Sequence, residues 1–206
     1  MEQRYCFAIK YLPNYVDVEL LAGRCISVLH GFMRMNEAAK NTIGVSFPFW
    51  SEDSVGNIIA FVSVNKDCLC GLSYQPYFTL MKKEQIFEIS PIIAVASDLP
   101  EHRFIRNSTI DKSFLNSKNK RLKRIKARAI KSNRQYSPVS REDRAFDLFH
   151  SIPMTSKGTE CEFVLHIQQQ SQELTRIAHQ FNAYGFATNE KWLGTVPDLR
   201  DTLLFE

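Results

Sequence analysis

The chain predicts an α+β fold, with an N-terminal ferredoxin-like (RRM-like) domain over residues 1–100 and a C-terminal α/β domain over 101–206 that carries a basic helix. Three observations predict it. The first hundred residues follow the order βαββαβ, which is the ferredoxin-like unit. The pattern changes near residue 101, where shorter extended pieces surround a charged stretch. At 206 residues the chain holds one large domain or two small ones, and 15 Phe supply material for two cores.

Residues 4–12 (RYCFAIKYL) alternate as a strand, and Pro13-Asn14 breaks it. Asp17 is placed to cap a helix running to about Met35, with a stripe of Val18, Leu21, Cys25, Val28, Leu29 and Phe32. A second strand is expected at 43–50 (IGVSFPFW) and a third at 57–64 (NIIAFVSV), with a turn before it at Ser54–Gly56. Residues 66–73 suit a short helix. A strand follows within 86–97, where Pro91 restricts it to an edge or a broken strand. Beyond 101, HRFIRNSTI reads as extended, 141–150 as a short helix, 161–168 (CEFVLHIQ) as a strand and 181–187 (FNAYGFA) as a final strand. Residues 171–180 fit a helix or a hairpin arm equally well.

Charge is distributed unevenly. Between Lys112 and Arg141 lie eleven basic residues and no acidic one, leaving 15 basic against 22 acidic residues elsewhere. The net charge of +4 therefore originates in one segment. At 100° per residue Leu122, Ile125 and Ala129 form a narrow stripe. Lys120, Arg124, Arg128 and Lys131 lie opposite, flanked by Arg121 and Lys123, and Lys118 stands at the start of the helix. Such a helix needs an anion to offset its self-repulsion, most economically a nucleic acid. A solvated surface helix is the plainer reading. Membrane binding fits less well, because the stripe is narrow and lacks aromatics.

Several chemistries are excluded. No apolar run spans a bilayer, and the N-terminus lacks a signal-peptide pattern. Cys6, Cys25, Cys68, Cys70 and Cys161 are odd in number and scattered, which predicts reduced core thiols and a cytoplasmic location. Metal-ligand spacings, acidic clusters suited to two metal ions, phosphate-cradling glycine loops and nucleophile elbows are all missing, so no cofactor is expected. An RNA-cutting chain of this kind would use the RNA's own 2′-hydroxyl, with a general base and nearby cations. His30 lies on the first helix beside its apolar stripe, where a lone histidine is most often structural.

The run VLHGFMRMNEAAKNTIGVSFPFW (28–50) resembles the signature of the subtype I-F CRISPR RNA-processing endoribonucleases, in which a helical histidine precedes an IGVSFP strand. The resemblance extends along the chain. His30 is similar to the family's catalytic histidine, and Arg106 to the arginine of its base-reading Arg-x-Gln, with Ser108 at the glutamine position. Residues 118–131 resemble its arginine-rich helix, which docks in the major groove of an RNA hairpin. Ser156 matches its active-site serine, Phe163 the aromatic that stacks under the hairpin's closing pair, and Tyr184, in a Tyr-Gly context, its C-terminal tyrosine. Where the family has serine-x-serine, this chain has Ser156-Lys157-Gly158 followed by Thr159.

The resemblance implies a metal-independent endoribonuclease that binds the repeat hairpin of precursor CRISPR RNA, cuts at its 3′ base and retains the product. Implied partners are that RNA hairpin and the other subunits of a Cascade-like CRISPR effector complex. LHGF and FWSEDSVG are most similar to transposon-encoded variants, which adds a transposition adaptor protein to the implied partners. The alternative is a non-catalytic subunit that caps a guide RNA in a ribonucleoprotein. A DNA-binding regulator would need a helix-turn-helix or dimerisation element, and none is evident.

Overall fold

The computed structural model describes residues 2–113, 128, 131, 146–155, 161–170, 178–202 and 204–205. Its first half runs β1 (Tyr5–Tyr11), α1 (Val18–Met35), β2 (Gly44–Ser46), β3 (Ile58–Ser63), α2 (Lys66–Ser73), α3 (Pro76–Lys83), β4 (Phe87–Ile89) and β5 (Ile93–Ala94). The strands form an antiparallel sheet of order β2-β3-β1-β4, as a ferredoxin-like fold requires. Cys6, Phe7, Ala8 and Ile9 are all fully buried, so β1 reads as a near-continuous apolar run. Pro91 splits the last strand, and β5 returns to pair with β1 beyond it. Ser90 bridges the gap: its N–H donates to Ala8 O and its Oγ accepts from Ala8 N, each at 2.9 Å.

α1 starts where expected, with Asp17 Oδ1 accepting from Leu20 N. Its buried face is Ala22, Gly23, Cys25, Ile26, Leu29 and Met33, rotated from the predicted stripe. Val18, Leu21, Val28 and Phe32 are only partly buried. The rotation arises because α1 packs against a second sheet as well as the first. That sheet contains β6 (Glu101–Arg106), β7 (Phe149–Thr155), β8 (Glu162–Gln170) and β9 (Val196–Pro197) in the order β7-β8-β6-β9, and α4 (Ser108–Ser113) follows β6. At the crossing, Gly23 lies directly against the backbone carbonyl of Pro153 on β7, where a Cβ would clash with it.

Aromatic packing joins the two sheets. Phe47 meets Phe104 edge-on at 5.3 Å and Phe186 at 6.2 Å, and Trp50 packs on Phe104 and on His150. His150 Nε2 donates to Ser51 O at 2.9 Å. Arg4 and Glu101 form a buried ion pair between β1's leading edge and β6. Removing one partner from such a pair costs about 3–5 kcal/mol, because the other charge stays buried.

Several expectations are corrected. The strand expected at 43–50 is only Gly44–Ser46, since the chain turns at Pro48–Phe49, closed by Trp50 N donating to Phe47 O. A further helix, α3, occupies 76–83 with Pro76 in its first turn, where the missing N–H is harmless. The helix expected at 141–150 is not present at its described end, because Phe149 and His150 begin β7. Pro153 is tolerated there because β7 is an edge strand. Residues 181–187 form a turn rather than a strand, joined to β6 by the Ile105–Ala187 bridge. Cys6, Cys25 and Cys68 are buried thiols, and burial pushes Cys6 up to about 12; Cys70 and Cys161 are exposed, not core. Most of 171–180 lies outside the described residues.

Candidate active site

The turn at 181–187 carries the centre of the site. Asn182 organises it. Its Oδ1 accepts from Tyr184 N at 2.8 Å and Phe186 N at 3.2 Å, while its backbone exchanges hydrogen bonds with Gly185 and Phe186. Gly185 has a φ of +82°, a left-handed conformation that disfavours side chains. A Cβ there would stand 2.7 Å from Val45 Cγ2 and 2.8 Å from Leu29 Cδ2. Gly185 O accepts from Val45 N at 2.9 Å. The turn is thereby fixed to β2 and α1, one helical step from His30.

His30 is gripped from two directions. Its Nδ1 lies 2.7 Å from Ala183 O, and since a carbonyl only accepts, Nδ1 carries the proton. Its ring stacks on Tyr184 at 4.4 Å with an interplanar angle of 11°. Nε2 has no hydrogen-bond partner among the described residues, which leaves it for a ligand. Tyr184 also contacts the second sheet. The Arg106 guanidinium lies over its ring at 5.1 Å, and Phe163 meets it edge-on at 6.2 Å. His30, Tyr184, Arg106 and Phe163, which are far apart in sequence, are therefore linked through one tyrosine.

Arg106 ends β6, held by its N–H to Ala187 O at 2.9 Å. Asn107 follows: its Oδ1 accepts from Thr109 N to start α4, and its Nδ2 donates to Gln168 Oε1 at 2.7 Å. Ser108 is exposed at the first position of α4. Phe163 is partly buried on β8, opposite Met154. Of the cationic segment, Arg128 and Lys131 are helical and exposed. Lys118, Lys120, Arg121, Lys123, Arg124 and Ser156 lie outside the described residues. Among the described residues no group of three His, Cys, Asp or Glu side chains is placed to hold a metal ion, and no helix is long and apolar enough to cross a membrane.

Sequence reasoning did not find Asn182, Gly185 or the Ala183 carbonyl, which together hold His30 and Tyr184. Asn182 and Gly185 leave a signal, an Asn-x-x-Gly turn pattern inside an aromatic run. A backbone carbonyl leaves none.

The sheet order places the chain among ferredoxin-like α+β proteins, and the site is built around one helix-borne histidine clasped by a C-terminal turn. The model of the family described as CRISPR-associated protein (Cas_Csy4) matches residues 7–199, so the chain belongs to that family. It is a CRISPR-associated RNA-processing protein of the subtype I-F endoribonuclease type. No curated protein matches it.

Proposed function

We propose that this chain is a metal-independent endoribonuclease that binds the repeat hairpin of precursor CRISPR RNA and cuts at the hairpin's 3′ base. One observation carries the reading: His30 has Nδ1 committed to Ala183 O and its ring committed to Tyr184, while Nε2 is left for substrate. In the reaction the 2′-hydroxyl before the cut loses its proton and its oxygen attacks the adjacent phosphorus. The bond to the 5′-oxygen breaks, that oxygen takes a proton, and a 2′,3′-cyclic phosphate remains. Nε2 of neutral His30 accepts the hydroxyl proton, or Nε2–H of the charged form supplies the proton to the leaving oxygen. Ser156 constrains the attacking ribose. Tyr184 holds the imidazole in plane.

Arg106 reads a guanine edge near the hairpin base. Its position over Tyr184 leaves the rim of the guanidinium for a bidentate contact. Phe163 stacks on the closing pair. The cationic helix, from Lys118 to Lys131, binds backbone phosphates in the groove. We assign residues 1–100 to the part that carries His30 and 101–206 to the part that holds the hairpin. The cut hairpin stays bound within a Cascade-like effector complex, and the wording of the chain favours a transposon-encoded system with a transposition adaptor as partner.

The test is cleavage of candidate repeat RNAs in EDTA, with mapping of the product ends. Full activity and a 2′,3′-cyclic phosphate or 3′-phosphate are expected. A single deoxyribose before the cut abolishes cleavage and leaves binding intact. His30→Ala lowers the rate by about 10²–10⁴-fold. Loss of activity in EDTA, or cutting of the deoxy substrate, would overturn the mechanism. Tight binding without any cutting would make the chain a guide-capping subunit.

A further inference from the structure

α1 contains two glycines in opposite surroundings. Gly23 is pressed against β7, whereas Gly31, next to His30, is exposed and has nothing within 4 Å of where a Cβ would stand. Packing does not call for glycine at 31, and glycine inside a helix is unfavourable relative to alanine. Arg34 lies three residues beyond Gly31 and four beyond His30, so the three share one side of the helix's last turns. Arg34 is exposed, and its guanidinium has no ion pair or hydrogen bond among the described residues. A bare backbone patch between a histidine and an unpaired cation is a place where another backbone comes close. Arg106 and Phe163 meet Tyr184 on the hairpin-reading side; the patch lies beyond His30 along α1.

We propose that Gly31 and Arg34 form a track for the RNA strand 3′ of the cut. Resting on the reading of His30 above, the ribose–phosphate backbone leaves His30, crosses α1 over Gly31 and sets its next phosphate on Arg34. His30 and Arg34 are about 6 Å apart along the axis, which brings a phosphate adjoining the scissile one within reach of the guanidinium. A bulky residue at 31 would stand in the path. A positive charge at 34 holds the departing strand in line with the attacking 2′-oxygen, as displacement at phosphorus requires.

The test uses two RNAs with a deoxyribose before the cut, so that neither is cleaved. One ends at the hairpin base; the other carries several further nucleotides on its 3′ side. Arg34→Ala is expected to weaken the flanked RNA by about two- to fivefold, as one exposed ion pair does. It also lowers the salt slope for that RNA by about 0.7, and leaves the hairpin alone unchanged. Gly31→Ala raises Tm by about 1–4 °C, and Gly31→Leu weakens only the flanked RNA without lowering Tm. The proposal is overturned if these variants bind flanked RNA like wild type, or weaken both RNAs equally. It also falls, together with the assignment of His30, if wild-type protein neither holds the hairpin nor cuts a flanked ribose substrate. An Arg34 that serves only the helix dipole would change Tm and not the flank dependence.

Discussion

Gly185→Ala perturbs the site without touching any group that meets RNA. The residue sits at φ +82°, where a Cβ costs about 1–2 kcal/mol. The new methyl would also stand 2.7 Å from Val45 Cγ2 and 2.8 Å from Leu29 Cδ2, both packed in the interior. Overpacking of that kind adds about 1–3 kcal/mol. The sum, about 2–5 kcal/mol, lowers Tm by roughly 4–20 °C for a chain of this size. The strain is relieved most readily by lifting the turn from β2 and α1. That movement carries Ala183 O away from His30 Nδ1 and Tyr184 off the imidazole. Cleavage should fall about 10²-fold, as a displacement near 1 Å does. Single-turnover cleavage at saturating hairpin, measured well below the variant's Tm, separates the site effect from unfolding. A variant with unchanged Tm and unchanged single-turnover rate would refute the claim that this glycine holds the histidine in place.

Other substitutions test other contacts. Arg106→Ala should relax discrimination at one base pair by about 1–3 kcal/mol; an equal loss on all hairpins in a binding series would make Arg106 a phosphate contact. Phe163→Ala should weaken hairpin binding by about 1–3 kcal/mol in a filter assay with little change in Tm, since the ring is only partly buried. Changing Lys120, Arg124 and Arg128 together to Ala should reduce affinity and flatten its salt dependence, and an unaltered slope would leave the segment a solvated face. Asp198 concerns acid stability. Burial works to raise its carboxyl, but hydrogen bonds from Arg200 and from His102 outweigh it and lower the pKa to about 2. A depressed carboxyl stabilises the fold above its unfolded value near 4 and loses that contribution as pH falls through about 2. Asp198→Asn should therefore be the less stable form at pH 6, with the gap to wild type closing between pH 4 and 2 in urea titrations. A gap independent of pH would assign the loss to packing.

The βαββαβ order was legible because burial imposes a period that local sequence cannot hide. Asp17 and Pro91 each named a boundary that the structure keeps, and the alternation of 161–168 named a strand that the structure extends to Gln170. What was misread involves tertiary override. β7 contains Pro153 and reads poorly as a strand, yet an edge position and α1 beside it hold it extended. Phe181-Asn-Ala-Tyr-Gly-Phe186 alternates like a strand, but the Asn182 side chain and the left-handed Gly185 turn it back on itself. The stripe of α1 was rotated because a single helix serves two sheets, and periodicity alone cannot assign which face meets which sheet. For the site, family likeness named His30, Arg106, Phe163 and Tyr184, and the structure joins all four through Tyr184. The carbonyl that fixes the histidine's tautomer has no side-chain signature.

Because α1 presents His30 while resting on β7 through Gly23, the two sheets share one axle. A graft that replaces the second sheet, to which we assign hairpin reading, with that of a relative would have to preserve the close approach at Gly23 and the docking turn at Gly185 together. With either seam altered, His30 would lose its alignment with the second sheet, and on the proposed function the RNA would bind without reaching it correctly. On the proposed function, retargeting to a new repeat is therefore better attempted by changing single side chains on β6 and β8 than by exchanging whole modules.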